Sequence, residues 1–162
     1  MAIEAVRAYF RQYGMEEQIR EFSVSSATVA LAAEALGCPG CRIAKSLAFL
    51  VNGEAVLVVA AGDARIDNPK YKARFGVKAK MLSPDETLSL VGHAVGGVCP
   101  FAVKPGVRVY LDESLKRFDT VFPACGSANS AIELTLDQLQ AAAQGFAGWV
   151  DVCKGWREET AS

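Results

Sequence analysis

The feature that most constrains the fold is the run "IAKSLAFLVNGEAVLVVAA", Ile43–Ala61. Two apolar stretches, Ile43–Val51 and Ala55–Ala61, flank the dipeptide Asn52-Gly53. A tight two-residue turn needs positive φ at both central positions, which asparagine and glycine tolerate best. The spacing therefore predicts a β-hairpin near the middle of the chain.

Other elements follow from periodicity and from stop signals. Ala2–Tyr13 places Ile3, Val6, Tyr9, Phe10 and Tyr13 at helical spacing, with Gly14 as a stop. Arg20–Val24 reads as a short strand. A helix over Val29–Leu36 has cap candidates in Ser25 to Thr28 and a stop in Gly37. Pro69–Phe75 is a short helix closed by Gly76, and Lys78–Leu82 is strand-like. Ser83 caps a helix over Pro84–Val91, with Pro84 in its first turn. A Gly- and Pro-rich loop, Gly92–Gly106, follows. Strands are expected at Val107–Leu111, Thr120–Ala124 and Ala131–Thr135, with a helical turn at Glu113–Phe118. A helix over Leu136–Ala143 and a short segment, Trp149–Cys153, close the chain. Helices and strands do not alternate regularly, which argues against a doubly wound nucleotide fold. The expectation is an α/β (α+β) fold with a mixed, mostly antiparallel, barrel-like sheet surrounded by helices.

A length of 162 residues suits one domain spanning the chain, with its core at about residues 20–143. The formal net charge of −1 advertises no bulk affinity for nucleic acid. The amino-terminal segment lacks a signal-peptide pattern, and no run reaches the roughly 18 apolar residues of a membrane span. A soluble cytoplasmic protein is expected.

Cys38 and Cys41 form a Cys-x-x-Cys, and the five cysteines are odd in number. A redox pair needs a stabilised thiolate, usually at a helix N-terminus. This pair instead follows a predicted helix, where the partial charge is negative. A zinc site needs a second ligand pair, and the remaining cysteines are single while His93 is the sole histidine. Neither metal nor cofactor is expected. The pair reads as a turn built by Gly37, Pro39 and Gly40.

Lys45 is the more informative residue. In a strand over Ile43–Val51, Ile43, Lys45, Leu47, Phe49 and Val51 share one face. A charge among them is costly unless its end reaches a partner or a polar cavity. Snorkelling to water at the strand's start is the alternative.

Three separated motifs, "ATVALAAEALGCPGCRIAKSLAFLV", "GGVCPFAV" and "CGSANSAIEL", occur in that order. Together they resemble the YbaK family of aminoacyl-tRNA deacylases, related to the editing insertion domain of bacterial prolyl-tRNA synthetases. The likeness covers about Thr28 to Leu139. It implies a compact mixed α/β fold around a barrel-like sheet, and trans-editing of a mischarged tRNA. The tRNA for proline carrying alanine, serine or cysteine is the expected substrate. The family's functional lysine maps onto Lys45. Its glycine-x-x-x-proline loop maps onto Gly96, Gly97, Val98, Cys99 and Pro100. A glycine-containing turn maps onto Ala124–Ser130, with Gly126 best matched. Many relatives carry basic residues after that glycine, where this chain has Ser127, Ala128 and Asn129.

Esters of this kind are activated acyl groups with a neighbouring hydroxyl, so they need no strong protein nucleophile. The expected mechanism is hydrolysis by a positioned water. Backbone N–H groups of the Gly96–Pro100 loop would hold the developing oxyanion, and Lys45 would fix the terminal nucleotide. Ala124, Gly126, Ser127 and Asn129 would shape the amino-acid pocket or bind the α-amino group. A Ser-His-Asp triad would have to use His93, and Cys99 is a conceivable nucleophile without an evident base.

The segment "PKYKARFGVKAK" carries Lys70, Lys72, Arg74, Lys78 and Lys80 with no acid, alongside Tyr71 and Phe75. It could contact phosphates and stack bases, or be a solvated face. The acceptor end of an aminoacyl-tRNA is the expected partner, with prolyl-tRNA synthetase a second one. The competing readings are a non-catalytic module that binds aminoacyl-tRNA or a synthetase, and a thiol oxidoreductase using Cys38 and Cys41.

Overall fold

The computed structural model describes residues 2–156. Helix α1 (Ala2–Arg11) buries Val6 and Phe10 and unwinds before Tyr13, since Tyr13 N–H donates to the Phe10 carbonyl in a turn. Strand β1 (Arg20–Glu21) is shorter than expected, because the chain beyond it runs irregularly. There Phe22 N–H donates to Asn129 O and Ser26 N–H to Ala128 O. Helix α2 (Val29–Leu36) begins where the Thr28 hydroxyl accepts from Leu31 N–H, and ends at left-handed Gly37.

The hairpin forms as expected. Strands β2 (Ile43–Val51) and β3 (Glu54–Ala61) pair antiparallel, and Asn52 and Gly53 take φ of 51° and 83°. After β4 (Arg65–Ile66) comes α3 (Asn68–Phe75), capped by Asp67. The segment Lys78–Leu82 makes a single bridge, Met81 to Phe49, rather than a strand. A capping box between Ser83 and Glu86 starts α4 (Pro84–Glu86), which a π-helical stretch (Thr87–Val91) prolongs to left-handed Gly92.

Strand β5 (Arg108–Asp112) leads through a 3-10 turn (Glu113–Arg117) to β6 (Thr120–Pro123). The expected strand Ala131–Thr135 splits into β7 (Ser130–Ala131), paired with β1, and β8 (Leu134–Thr135), paired with β6. Helix α5 (Leu136–Ala142) precedes β9 (Phe146–Val150) and β10 (Cys153–Lys154). The last expected segment, Trp149–Cys153, thus straddles two strands. They separate because Val152 N–H turns to the buried Asp112 carboxylate at 3.0 Å.

Six strands form one curled, half-barrel sheet in the order β8-β6-β2-β3-β5-β9. Pairing is mixed. The β2–β3 and β6–β8 ladders are antiparallel, while β2–β6, β3–β5 and β5–β9 are parallel. Antiparallel pairing predominates only when the small sheets β1–β7 and β4–β10 are counted as well. β3 is buried from Ala55 to Ala61, as a strand covered on both faces must be. No described helix is long and apolar enough to cross a membrane.

Candidate active site

The outer edge of β2 is where the site forms. Its first residues pair with β6, ending at Ala44 opposite Pro123. Its far end is covered by the 80–82 segment: Leu50 N–H donates to Lys80 O at 2.9 Å and Leu82 N–H to Ala48 O at 3.0 Å. Between these two covers no strand among the described residues pairs with the edge. A pocket of about 270 Å³ opens there. Six consecutive residues, Ile43–Ala48, line it, so it runs along the strand's edge and not against a single face.

Its remaining wall comes from several elements. Ser26 to Val29 and Ala32 contribute from the start of α2, and Met81, Leu82 and Thr87 from beyond the β2 edge. Val95, Gly96 and Val98 come from the glycine loop, and Phe122, Ala124, Ser130 and Ala131 from the opposite side. Small residues dominate, and among the described residues no histidine, cysteine or carboxylate lines the cavity. Met81 and Val95 are well exposed and give it an apolar rim.

Lys45 lies half-buried on this wall. Its ammonium donates to Gly62 O at 3.3 Å and to Ala64 O, both in the β3–β4 loop. That loop is held in turn: Ala61 N–H donates to the buried Ser114 hydroxyl at 3.1 Å, and Ala64 N–H to Ala61 O. Burial lowers the Lys45 pKa, partly opposed by the negative charge of Asp63 nearby. The side chain does not snorkel freely; it is anchored. An ammonium has three donors, so one remains beyond the two carbonyls.

The two glycine motifs meet behind the pocket. Gly96 has φ of 98° and approaches Ala27 and Ala128; a Cβ there would lie 3.2 Å from the Ala27 methyl. A Cβ on Gly97 would lie 2.6 Å from Ser127 N and 2.7 Å from the Gly126 carbonyl carbon, so only glycine fits. Gly126 in turn packs on the Ala2–Ile3 backbone. The positions expected at the site therefore divide. Gly96, Val98 and Ala124 line the pocket, as Lys45 does. Gly97, Cys99, Pro100, Gly126, Ser127 and Asn129 stand behind its wall. Gly97 N–H is also engaged, donating to Ala94 O at 3.0 Å, which removes it as an oxyanion donor. Ser127 and Asn129 brace the wall: Ser127 Oγ bonds Ser130 Oγ at 2.7 Å, and Asn129 donates to Phe22 O at 3.0 Å.

Cys99 and His93 do come together, 3.6 Å apart, but both are buried away from the pocket. The His93 Nε2–H donates to Phe101 O at 2.7 Å, and burial lowers the ring's pKa. Burial pushes the Cys99 thiol up to about 12, so it is not a thiolate at neutral pH. Neither residue lines the pocket. Cys38 and Cys41 are free, half-buried thiols after the C-terminal end of α2, and burial raises the Cys38 pKa. Among the described residues no group of three or more His, Cys, Asp or Glu is placed to hold a metal ion.

The basic segment is partly spent on the fold. Lys70 pairs with Asp151 at 3.1 Å and with the Cys153 carbonyl, and Arg74 lies over the Phe75 and Tyr110 rings. Lys72, Lys78 and Lys80 are exposed, and the last two lead directly into Met81 at the pocket rim. Sequence reasoning missed Ser46, Ser26–Thr28, Met81–Leu82 and Thr87 as wall residues. The alternation of Ala44, Ser46 and Ala48 along β2 was their faint signal.

Known proteins resemble this chain in sequence and in architecture. Residues 24–142 match the model of the aminoacyl-tRNA editing domain. The uncharacterized protein YwhH of Bacillus subtilis is 55% identical over 157 residues, covering 96% of this chain and 99% of that protein. A proline–tRNA ligase of Staphylococcus aureus is 33% identical over 81 residues, which is 49% of this chain but only 14% of the ligase. A crystal structure described as a candidate trans-editing enzyme for prolyl tRNA synthetase superposes with a TM-score of 0.84 at 28% identity, covering 95% of this chain and 98% of the other. The matched region contains β2, the pocket and both glycine motifs, and the chain belongs to the aminoacyl-tRNA editing domain family.

Proposed function

We propose that this protein is a cytoplasmic trans-editing deacylase. It hydrolyses the ester joining a small non-cognate amino acid, such as alanine, serine or cysteine, to the 3′ end of the tRNA for proline. The observation that carries this reading is the pocket beside Lys45, with its wall of small residues. A volume of about 270 Å³ lies just below the usual range for small-ligand sites, which favours a short side chain.

The chemistry follows from what the wall contains. It offers no thiolate, imidazole or carboxylate, so a water molecule attacks the ester carbonyl carbon. The bond to the ribose oxygen breaks, and that oxygen takes up a proton. The adjacent ribose hydroxyl orients the water. The free donor of the Lys45 ammonium holds a phosphate or ribose oxygen of the terminal nucleotide, while Gly62 and Ala64 fix the ammonium's position. Lys72, Lys78 and Lys80 offer phosphate contacts for the acceptor end, and the Met81 and Val95 rim offers an apolar surface to a base.

Deacylation assays with a panel of aminoacyl-tRNAs test the reading. Accelerated hydrolysis of alanyl-, seryl- or cysteinyl-tRNA for proline is expected, with prolyl-tRNA spared. Binding of tRNA with no hydrolysis across the panel would instead identify a non-catalytic module.

A further inference from the structure

The gap in the β2 edge has a chemistry of its own. Ala48 O and Leu50 N–H point outward to the 80–82 segment. Backbone groups alternate along a strand with a period of two, so the N–H and C=O of Ser46 point outward as well. They lie beyond the last β6 pair at Ala44 and before the bridge at Phe49. No hydrogen bond from another described residue reaches them on that edge. Ser46 also carries a buried hydroxyl with no partner. Four side-chain atoms among the described residues share that condition, on Ser46, Tyr71, His93 and Arg108. Of these four residues only Ser46 belongs to the pocket wall. An orphaned buried hydroxyl is costly, and its persistence beside a cavity points to a ligand.

We infer that Ser46 is the residue on which the aminoacyl group docks, as a single added β-residue in the gap of the sheet. An α-aminoacyl ester places a nitrogen and a carbonyl in the same relation as one residue of a peptide. Two residues in hydrogen-bonded antiparallel register exchange both backbone bonds. The substrate's α-ammonium donates to Ser46 O and to Ser46 Oγ. Its ester carbonyl accepts from Ser46 N–H, which holds the oxygen as negative charge builds on it during water attack. The side chain then stands beside Ala44 and Ala48, which limit its size. The inference rests on the deacylase reading and assigns a donor role that Gly97, with its N–H engaged, does not fill.

Two measurements test it together. The first is an amide NMR titration with 3′-(L-alanylamino)-3′-deoxyadenosine, whose amide link resists hydrolysis. The Ser46 amide proton is expected to shift and to gain protection from solvent exchange, more than Lys45 or Leu47, whose N–H groups face β3. The second compares alanyl-tRNA with lactyl-tRNA, each relative to its own uncatalysed rate. Loss of the ammonium is expected to lower acceleration at least about tenfold. In Ser46→Ala, which keeps the backbone but loses Oγ, that discrimination should narrow. Hydrolysis of alanyl-tRNA with an unmoved Ser46 amide, or with no preference over the lactyl ester, overturns the docking role and leaves the deacylase standing. A Ser46 amide that responds to the analogue in a protein hydrolysing no panel member preserves the docking edge and defeats the deacylase. Absence of both responses defeats both.

Discussion

Two regions of this protein invite chemistry, and they are built oppositely. The His93–Cys99 cluster holds the residue types of nucleophilic catalysis within 3.6 Å, yet both are sealed in the core. The β2 pocket is lined by no thiol or imidazole among the described residues, yet it is open, partly polar and bordered by unpaired backbone. Access and unsatisfied hydrogen-bonding groups, more than reactive side chains, are what the proposed handling of an already activated ester calls for. The thiol and imidazole serve the fold: each uses the Phe101 carbonyl, and the loop they stiffen carries Gly96 and Val98 to the pocket.

The largest effect expected from breaking this division is Gly97→Ala. Its methyl would press on the Gly126–Ser127 backbone at 2.6–2.7 Å, neither side of which is a flexible side chain. Overpacking of this kind costs roughly 1–3 kcal/mol, and thermal melting should show a loss of several degrees together with lost deacylation. An unchanged melting temperature would mean that the two glycine motifs do not touch.

Filling the pocket is the next test. Ala124→Val places two more methyl groups on the wall without adding charge. Hydrolysis of alanyl-tRNA should fall by about an order of magnitude at unchanged stability, as one or two methyl groups at a specificity pocket suffice for that. Equal rates for the variant would remove Ala124 from the amino-acid site.

A third test sharpens the contrast through pH. Burial lowers the His93 pKa, and Nδ1 has no partner, so the fold favours the neutral ring. The unfolded chain titrates near the ordinary value of about 6.5. Stability should therefore be full above that value and lost as pH falls below it, by up to about 1.4 kcal/mol per pH unit. Melting curves between about pH 7 and 5 check this, and His93→Gln should flatten the slope. A flat wild-type profile would show that His93 is not sealed. The smallest effect is expected at the pair that first catches the eye. Cys38→Ala combined with Cys41→Ala should leave deacylation unchanged, because both thiols lie outside the pocket wall.

How much of this was legible in the sequence depends on whether the signal was local. The hairpin around Asn52-Gly53, the Thr28 and Ser83 caps and the Gly37 stop are encoded within a few residues, and they form where expected. The split of Ala131–Thr135 into two strands was hidden, since it depends on which distant partner each end finds, β1 or β6. The same holds at the site. Lys45 was marked by its place among apolar neighbours, but its partners Gly62 and Ala64 are set by the return of β3. The gap at Ser46 was invisible, because it arises where β6 stops and the 80–82 segment begins, two events remote in sequence.

The proposed deacylation depends on Lys45 working from the pocket, with Cys99 taking no part. Single-turnover deacylation of alanyl-tRNA for proline by wild type, Lys45→Ala and Cys99→Ala tests this most directly, with circular dichroism confirming each fold. Lys45→Ala should lose on the order of 100-fold or more, since the nucleotide is no longer positioned, while Cys99→Ala retains hydrolysis to the extent that it stays folded. Full activity in Lys45→Ala, or its abolition in a folded Cys99→Ala, would contradict the account.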